Sequence, residues 1–333
     1  MHRAITRILV AASVLLMVVG ANQAVAAAAP PPDLAVFEWY KLSQLNAKVS
    51  EPRLTTLRTD GFKTVYANVG EYLEVADQPD SRAQRTRLAQ LKSDLKRFVA
   101  RASNLGFAVH AVAGGPDWTD VSHRYLGPKL VQLVADYNGA AAPNERLQGV
   151  QLDIEPYVDP GFFDDTEAAL IAYLQTMRDI VAAYRQVRAR SGNHTLRLGV
   201  AIPFWFDGEA GAPGPVPFGG ATKPAAFHLV DMLADLAHAY LVVMAYRNFT
   251  AGEDGSISHL RSEFEYLSSA GARCGLVVGQ EYTEQEPPEV SFHGLGRGVF
   301  RTAAAEIAAA YGHLPQFGGL SVNDVDAYLA ADE

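Results

Sequence analysis

The chain is 333 residues long, 49% hydrophobic and acidic, with 28 basic against 37 acidic side chains and a formal net charge of −9 at pH 7. That balance argues against nucleic acid and anionic membrane surfaces as partners, and the length and apolar content suit one large domain. A lone cysteine, Cys274, excludes an internal disulfide; it reads as a buried apolar residue opening a strand.

Residues 1–28 read as a secretory signal peptide: Arg3 and Arg7, an apolar stretch over 8–20, then the small residues Ala24, Val25 and Ala26. The apolar stretch falls short of the roughly 20 residues that a membrane span needs, and no later stretch approaches it. The expectation is cleavage between Ala24 and Ala29 and a soluble, extracellular, monomeric domain over 29–333.

From there, apolar strand-like runs at 34–40, 64–70, 107–113, 149–155, 196–204, 240–246, 274–280 and 318–323 alternate with amphipathic segments. These are clearest at 84–104 (closed by Gly106), 165–190 (closed by Gly192), 227–239, 258–270 and 302–311. A weak first helix over 43–60 is interrupted by Pro52. Eight strands with intervening helices predict an α/β fold, a single-domain (β/α)8 TIM barrel, whose usual size of about 250 residues fits the chain.

Polar and aromatic residues gather after the C-terminal ends of these runs: Glu38, Trp39 and Tyr40; Glu71 and Tyr72; Asp117 and Trp118; Trp205 and Asp207; Tyr246 and Arg247; Glu281 and Tyr282; Asn323, Asp324 and Asp326. Barrel enzymes build their sites at that rim. Two loops on the same side, 208–224 and 283–298, are long enough to wall a cleft.

The fourth run, Gly149-Val150-Gln151-Leu152-Asp153-Ile154-Glu155-Pro156, carries the chemistry. Strand alternation puts Val150, Leu152 and Ile154 on one face and Gly149, Gln151, Asp153 and Glu155 on the other. Two acids one strand period apart, stopped by a proline, mark the mouth of a parallel barrel. The rim carboxylates, with Trp39, Trp118 and Trp205 as flat apolar faces, suit a sugar; Trp118 and Trp205 rank ahead of Trp39 as platforms. Asp117, Tyr40, Arg247 and Asn323 are the further candidate substrate contacts. No phosphate-binding or dinucleotide-binding glycine motif occurs, and the nine histidines are scattered, so no cofactor and no metal are expected.

On these residues the chain resembles family 18 glycoside hydrolases, the chitinase-like TIM barrels, whose fourth strand ends in DGxDxDxE. Asp153 and Glu155 match the last two acids and Gly149 the glycine. Ala113-Gly114-Gly115 is similar to the SxGG of strand three, Ala201-Ile202-Pro203 to the AxP of strand five, Met244-Ala245-Tyr246 to the MxYD of strand six, and Gly318-Gly319 to the GG opening strand eight. The resemblance implies Glu155 as proton donor, Asp153 as the residue orienting the substrate acetamido group, and Tyr246 as its support. Gln148 and Gln151 replace the first two aspartates, Arg247 the acid after the tyrosine, and Asn323 stands where many chitinases have a tryptophan. Those departures bear on chitin as substrate more than on glycan processing.

Glu281, ending the seventh run, leaves a second mechanism open. A retaining glycosidase places two carboxyl groups about 5 to 5.5 Å apart, and Glu155 with Glu281 would supply acid/base and nucleophile. If the acetamido oxygen attacks instead, Glu281 is a substrate contact, or pairs with Arg247. Glu38 and Glu71 read as salt-bridge partners. Two classes follow: a secreted glycoside hydrolase acting on an amino-sugar-containing polysaccharide or oligosaccharide, or a non-catalytic glycan-binding barrel. Retention of Glu155 favours the enzyme.

Overall fold

In the computed structural model, residues 31–191, 195–209 and 213–333 are described. The expected leader over 1–28, the closing Gly192, and residues 210–212 of the expected 208–224 loop lie outside the described residues.

Alternation along the strands sorts the core into two shells. The strands are β1 (Leu34–Glu38), β2 (Phe62–Asn68), β3 (Ala108–Ala113), β4 (Gly149–Leu152) and β5 (Arg197–Pro203), a hairpin of β6 (Val216–Phe218) with β7 (Ala221–Lys223), then β8 (Ala239–Met244), β9 (Gly275–Glu281) and β10 (Phe317–Asn323). Eight close into a barrel in the order β1-β10-β9-β8-β5-β4-β3-β2, every neighbouring pair parallel. Each expected run supplies one barrel strand. Odd positions of β1 (Ala35, Phe37) join Tyr66, Val112, Ala201, Tyr240, Val242, Met244 and Val277 inside the barrel, while Leu34 and Val36 join the shell under the helices. A barrel strand is thus buried on both faces, which is why these runs are nearly uniformly apolar.

The helices are α1 (Ala47–Thr59), α2 (Gly70–Asp77), α3 (Arg82–Asn104), α4 (Leu126–Gly139), α5 (Thr166–Ser191), α6 (Ala225–Leu233), α7 (Arg261–Ser269), α8 (Arg297–Tyr311) and α9 (Val325–Ala330). In α3 the Ser81 side chain accepts from the amide of Gln84 at 3.0 Å, and Leu91, Leu95, Phe98, Val99 and Ala102 form the buried stripe. Each large apolar side chain fully buried there contributes about 1.5–3 kcal/mol. Helix α1 runs through Pro52 instead of breaking. The missing amide bond is offset by tertiary anchoring: Leu54 and Leu57 are buried in the outer shell, and Arg53 is bidentate to Glu38 at 2.9–3.1 Å. Cys274, fully buried, immediately precedes β9.

Two glycines matter through close approach. A Cβ on Gly114 would lie 2.0 Å from the carbonyl oxygen of Asp153, and one on Gly199 would lie 2.0 Å from Oε1 of Gln151. Gly114 thereby lets the loop after β3 pack on the backbone that carries Asp153, and Gly199 opens room for Gln151 inside the barrel.

Candidate active site

Strand β4 stops at Leu152, three residues short of the expected Glu155, yet the amide of Asp153 still donates to the carbonyl of Ala113 at 3.2 Å. The sidedness therefore persists past the ladder. Ile154 is buried with Leu152 in the outer shell, while Asp153 and Glu155 line a cavity of about 220 Å³ at the C-terminal mouth. Trp39, Tyr246, Gln280, Ser321 and Asn323 line the same cavity. A second, larger space of about 580 Å³ shares Trp39 and Asp153 with it and runs out past Asn68, Glu71, Asp117, Trp118 and Tyr125.

Burial, and then the charge of Glu155, push the Asp153 carboxyl up to about 7. Burial likewise raises Glu155, and the hydroxyl of Tyr157, 2.8 Å from Glu155 Oε1, works against that rise. The negative charge of Glu155 thus disfavours a second charge on Asp153 beside it. Tyr246 is raised well above the usual phenol range by burial and then by Glu281, Asp153 and Glu155, so it remains a neutral donor.

Glu281, expected as nucleophile or substrate contact, is 2% exposed and does not line the cavity. Its Oε1 accepts from the amides of Tyr282 (2.8 Å) and Thr283 (2.7 Å) and from the Thr283 hydroxyl (2.8 Å). Its Oε2 accepts from the side-chain amide of Asn323 at 2.7 Å. Asn323 in turn accepts from the indole N–H of Trp39 at 2.6 Å. The partner of Glu281 is thus Asn323; Arg247 instead pairs with Asp254 at 2.6 Å and donates to the carbonyl of Tyr246 at 2.7 Å.

The three tryptophans stand in different surroundings. Trp39, ranked last, lines both cavities. Trp118 is only 6% exposed, packed in the outer core though it reaches the larger cavity. Trp205 stands in an aromatic cluster, its ring 5.0 Å from Tyr157 and 4.9 Å from Phe206. Asp117 is exposed on the wall of the larger cavity beside His123 at 3.2 Å. Tyr40 lies under the guanidinium of Arg53, 4.4 Å from its ring centre, outside both cavities. Glu38 and Glu71 form ion pairs with Arg53 and Arg87, as expected.

Sequence reasoning passed over Tyr157 as a site residue. The signal was present in Glu155-Pro156-Tyr157: a proline opening a short 3-10 turn (Pro156–Val158) brings the second following side chain back toward the carboxyl.

No family model and no curated protein matches this chain. Among solved structures, a GH18 chitinase from Pseudoalteromonas aurantia superposes with a TM-score of 0.52 at 13% identity, over 87% of this chain and 93% of that one. An endo-beta-N-acetylglucosaminidase from Cordyceps militaris gives 0.49 at 14% identity, over 91% and 84% of the two chains. A GH18 chitinase from Cycas revoluta in complex with (GlcNAc)3 gives 0.47 at 15% identity, over 88% and 95%. This chain therefore shares with the GH18 chitinase from Pseudoalteromonas aurantia the closed (β/α)8 barrel fold.

Proposed function

We propose that this protein is a secreted glycoside hydrolase acting on an amino-sugar-containing polysaccharide, with the leader over 1–28 directing export. The observation that carries this reading is that Asp153, Glu155 and Tyr246 line one cavity at the barrel mouth while the carboxylate of Glu281 is occupied behind it. The barrel shared with a family 18 chitinase agrees with it.

In this reading Glu155 transfers its proton to the glycosidic oxygen as the bond from that oxygen to C1 breaks. The carbonyl oxygen of the substrate's own N-acetyl group closes on C1, giving a cyclic oxazolinium ion. Asp153 accepts a hydrogen bond from the acetamido N–H, and the neutral Tyr246 hydroxyl donates to the acetamido oxygen. Water then attacks C1, losing its proton to the Glu155 carboxylate, as the bond from the acetamido oxygen to C1 breaks; the N-acetyl group and the acid are regenerated with retained configuration. A buried Asp153 that gives up its proton reluctantly suits this role, because the developing positive charge on the ring stabilises its anion where solvent does not.

The alternative in which Glu281 attacks C1 is disfavoured by its four hydrogen bonds, each of which would have to break or weaken. The test is a panel of oligosaccharides, N-acetylated, de-N-acetylated and neutral, scored for cleavage and for binding. Cleavage confined to chains that carry acetamido groups supports the reading. Cleavage of neutral glycans overturns the mechanism, and binding without any cleavage makes the protein a glycan-binding barrel.

A further inference from the structure

The candidate acid is not held by the strand alone. Tyr157 places its hydroxyl 2.8 Å from Oε1 of Glu155, and aromatic rings confine the Tyr157 ring: Trp205 at 5.0 Å and 69°, Phe206 at 6.1 Å and 84°, Phe162 at 6.4 Å and 81° between centres and planes. These edge-on contacts are the favourable arrangement for aromatic pairs, so the phenol has a fixed direction. Turned to accept from Glu155, it would leave its own proton without an acceptor, since Glu155 Oε1 is the one hydrogen-bond partner of this hydroxyl among the described residues, a poor exchange in a buried site. Its role is therefore that of a donor to Oε1.

We infer that Tyr157 is a positioning residue for Glu155: by occupying Oε1 as a hydrogen-bond donor it leaves Oε2 as the oxygen that carries the acid proton and delivers it into the cavity. The inference rests on the reading of Glu155 as the acid only for its catalytic consequence; the hydrogen-bond direction stands by itself. It also gives Trp205, Phe206 and Phe162 a task, that of a wall behind the phenol, in place of the sugar platform expected of Trp205.

The direction has a measurable sign. Donation to Oε1 favours the carboxylate, opposing the effect of burial. The other groups around Glu155 are Asp153 on the same segment after β4, Tyr246 beyond β8 and Tyr173 on α5, with Glu281 at the end of β9 acting on Tyr246. None of these is removed with the Tyr157 hydroxyl.

The experiment is a carbon-13 NMR titration of side-chain carboxyls in the full-length protein, with Glu155→Gln used to assign the Glu155 signal. In Tyr157→Phe the midpoint of Glu155 should rise by about one pH unit, a tenfold change in its proton affinity. Trp205→Leu, which loosens the wall but keeps the hydroxyl, should shift it in the same direction by less. Any glycoside that the wild type cleaves then adds a second readout: the alkaline limb of kcat/KM moves upward with Glu155 in Tyr157→Phe, while kcat at the optimum falls about tenfold and KM holds. A Glu155 midpoint that stays in place or falls in a folded Tyr157→Phe overturns the inference, whatever the enzyme assays give. A midpoint that rises as stated, in a protein that cleaves nothing, sinks the hydrolase reading and leaves the positioning intact.

Discussion

Glu281 and Asn323, adjacent partners across β9 and β10, are joined by a 2.7 Å hydrogen bond from the asparagine amide to the buried carboxylate. That bond turns the asparagine carbonyl toward the indole of Trp39, and so fixes two of the side chains that line the cavity. A carboxylate that the sequence leaves open as nucleophile or substrate contact is, in the fold, the partner that holds Asn323.

Glu281→Gln should therefore act on stability first. Gln retains one acceptor oxygen, but its NH2 must then face either the amide donors of Tyr282 and Thr283 or the NH2 of Asn323. Charge-assisted bonds of this kind contribute about 1.5–3 kcal/mol, so urea denaturation should show a loss of that order. In Glu281→Ala, added azide should restore no activity and give no glycosyl azide; recovery of such a product would reinstate Glu281 as nucleophile.

Asp153 gives a pH prediction whose sign follows from burial. Its carboxyl is raised to about 7 in the fold against about 3.9 in an unfolded chain. The folded state then holds the proton more tightly, so the contribution of this group to stability is fully present below about pH 4 and is lost as pH rises through 7. Asp153→Asn removes the penalty of ionising the buried acid. Its melting temperature, relative to wild type, should be higher at pH 8 than at pH 5, and equal differences at both values would contradict the raised ionisation.

Gly114→Ala tests the support beneath the site. Its added Cβ would sit 2.0 Å from the carbonyl oxygen of Asp153, a clash with backbone that only a shift of one segment relieves. Overpacking of this kind costs about 1–3 kcal/mol. The expected outcome is a folded protein with lowered melting temperature and a Glu155 environment disturbed in carboxyl titrations; a variant identical to wild type in both would contradict the close approach.

The barrel was legible because each strand is buried on both faces and therefore stands out as a short apolar run, and because long helices such as α3 carry a clear stripe and a serine cap. Helix α4 was not singled out: Gly127 and Pro128 in its first turn and Gly139 at its end look like loop signals, although Leu130, Val131 and Val134 are buried. Asp153 and Glu155 were legible since carboxylates in an apolar run are out of place. The setting of Glu281 was not, because it depends on a residue 42 positions away and on the turn at Thr283, neither of which obeys a strand period. Tyr157 was passed over for the same reason, as its approach to Glu155 is made by a 3-10 turn and not by the strand. The place of Trp39 on the wall of both cavities was not legible, because residue type does not reveal which strand end faces a cavity.

The most direct measurement is the rate of glycoside cleavage by Glu155→Gln beside its binding of the same oligosaccharide. Gln keeps the shape and can still accept the Tyr157 hydrogen bond, but it has no acid proton to give. The account predicts that kcat falls by about 10²–10⁴ while the dissociation constant changes little. Cleavage at the wild-type rate by a folded Glu155→Gln protein would contradict it.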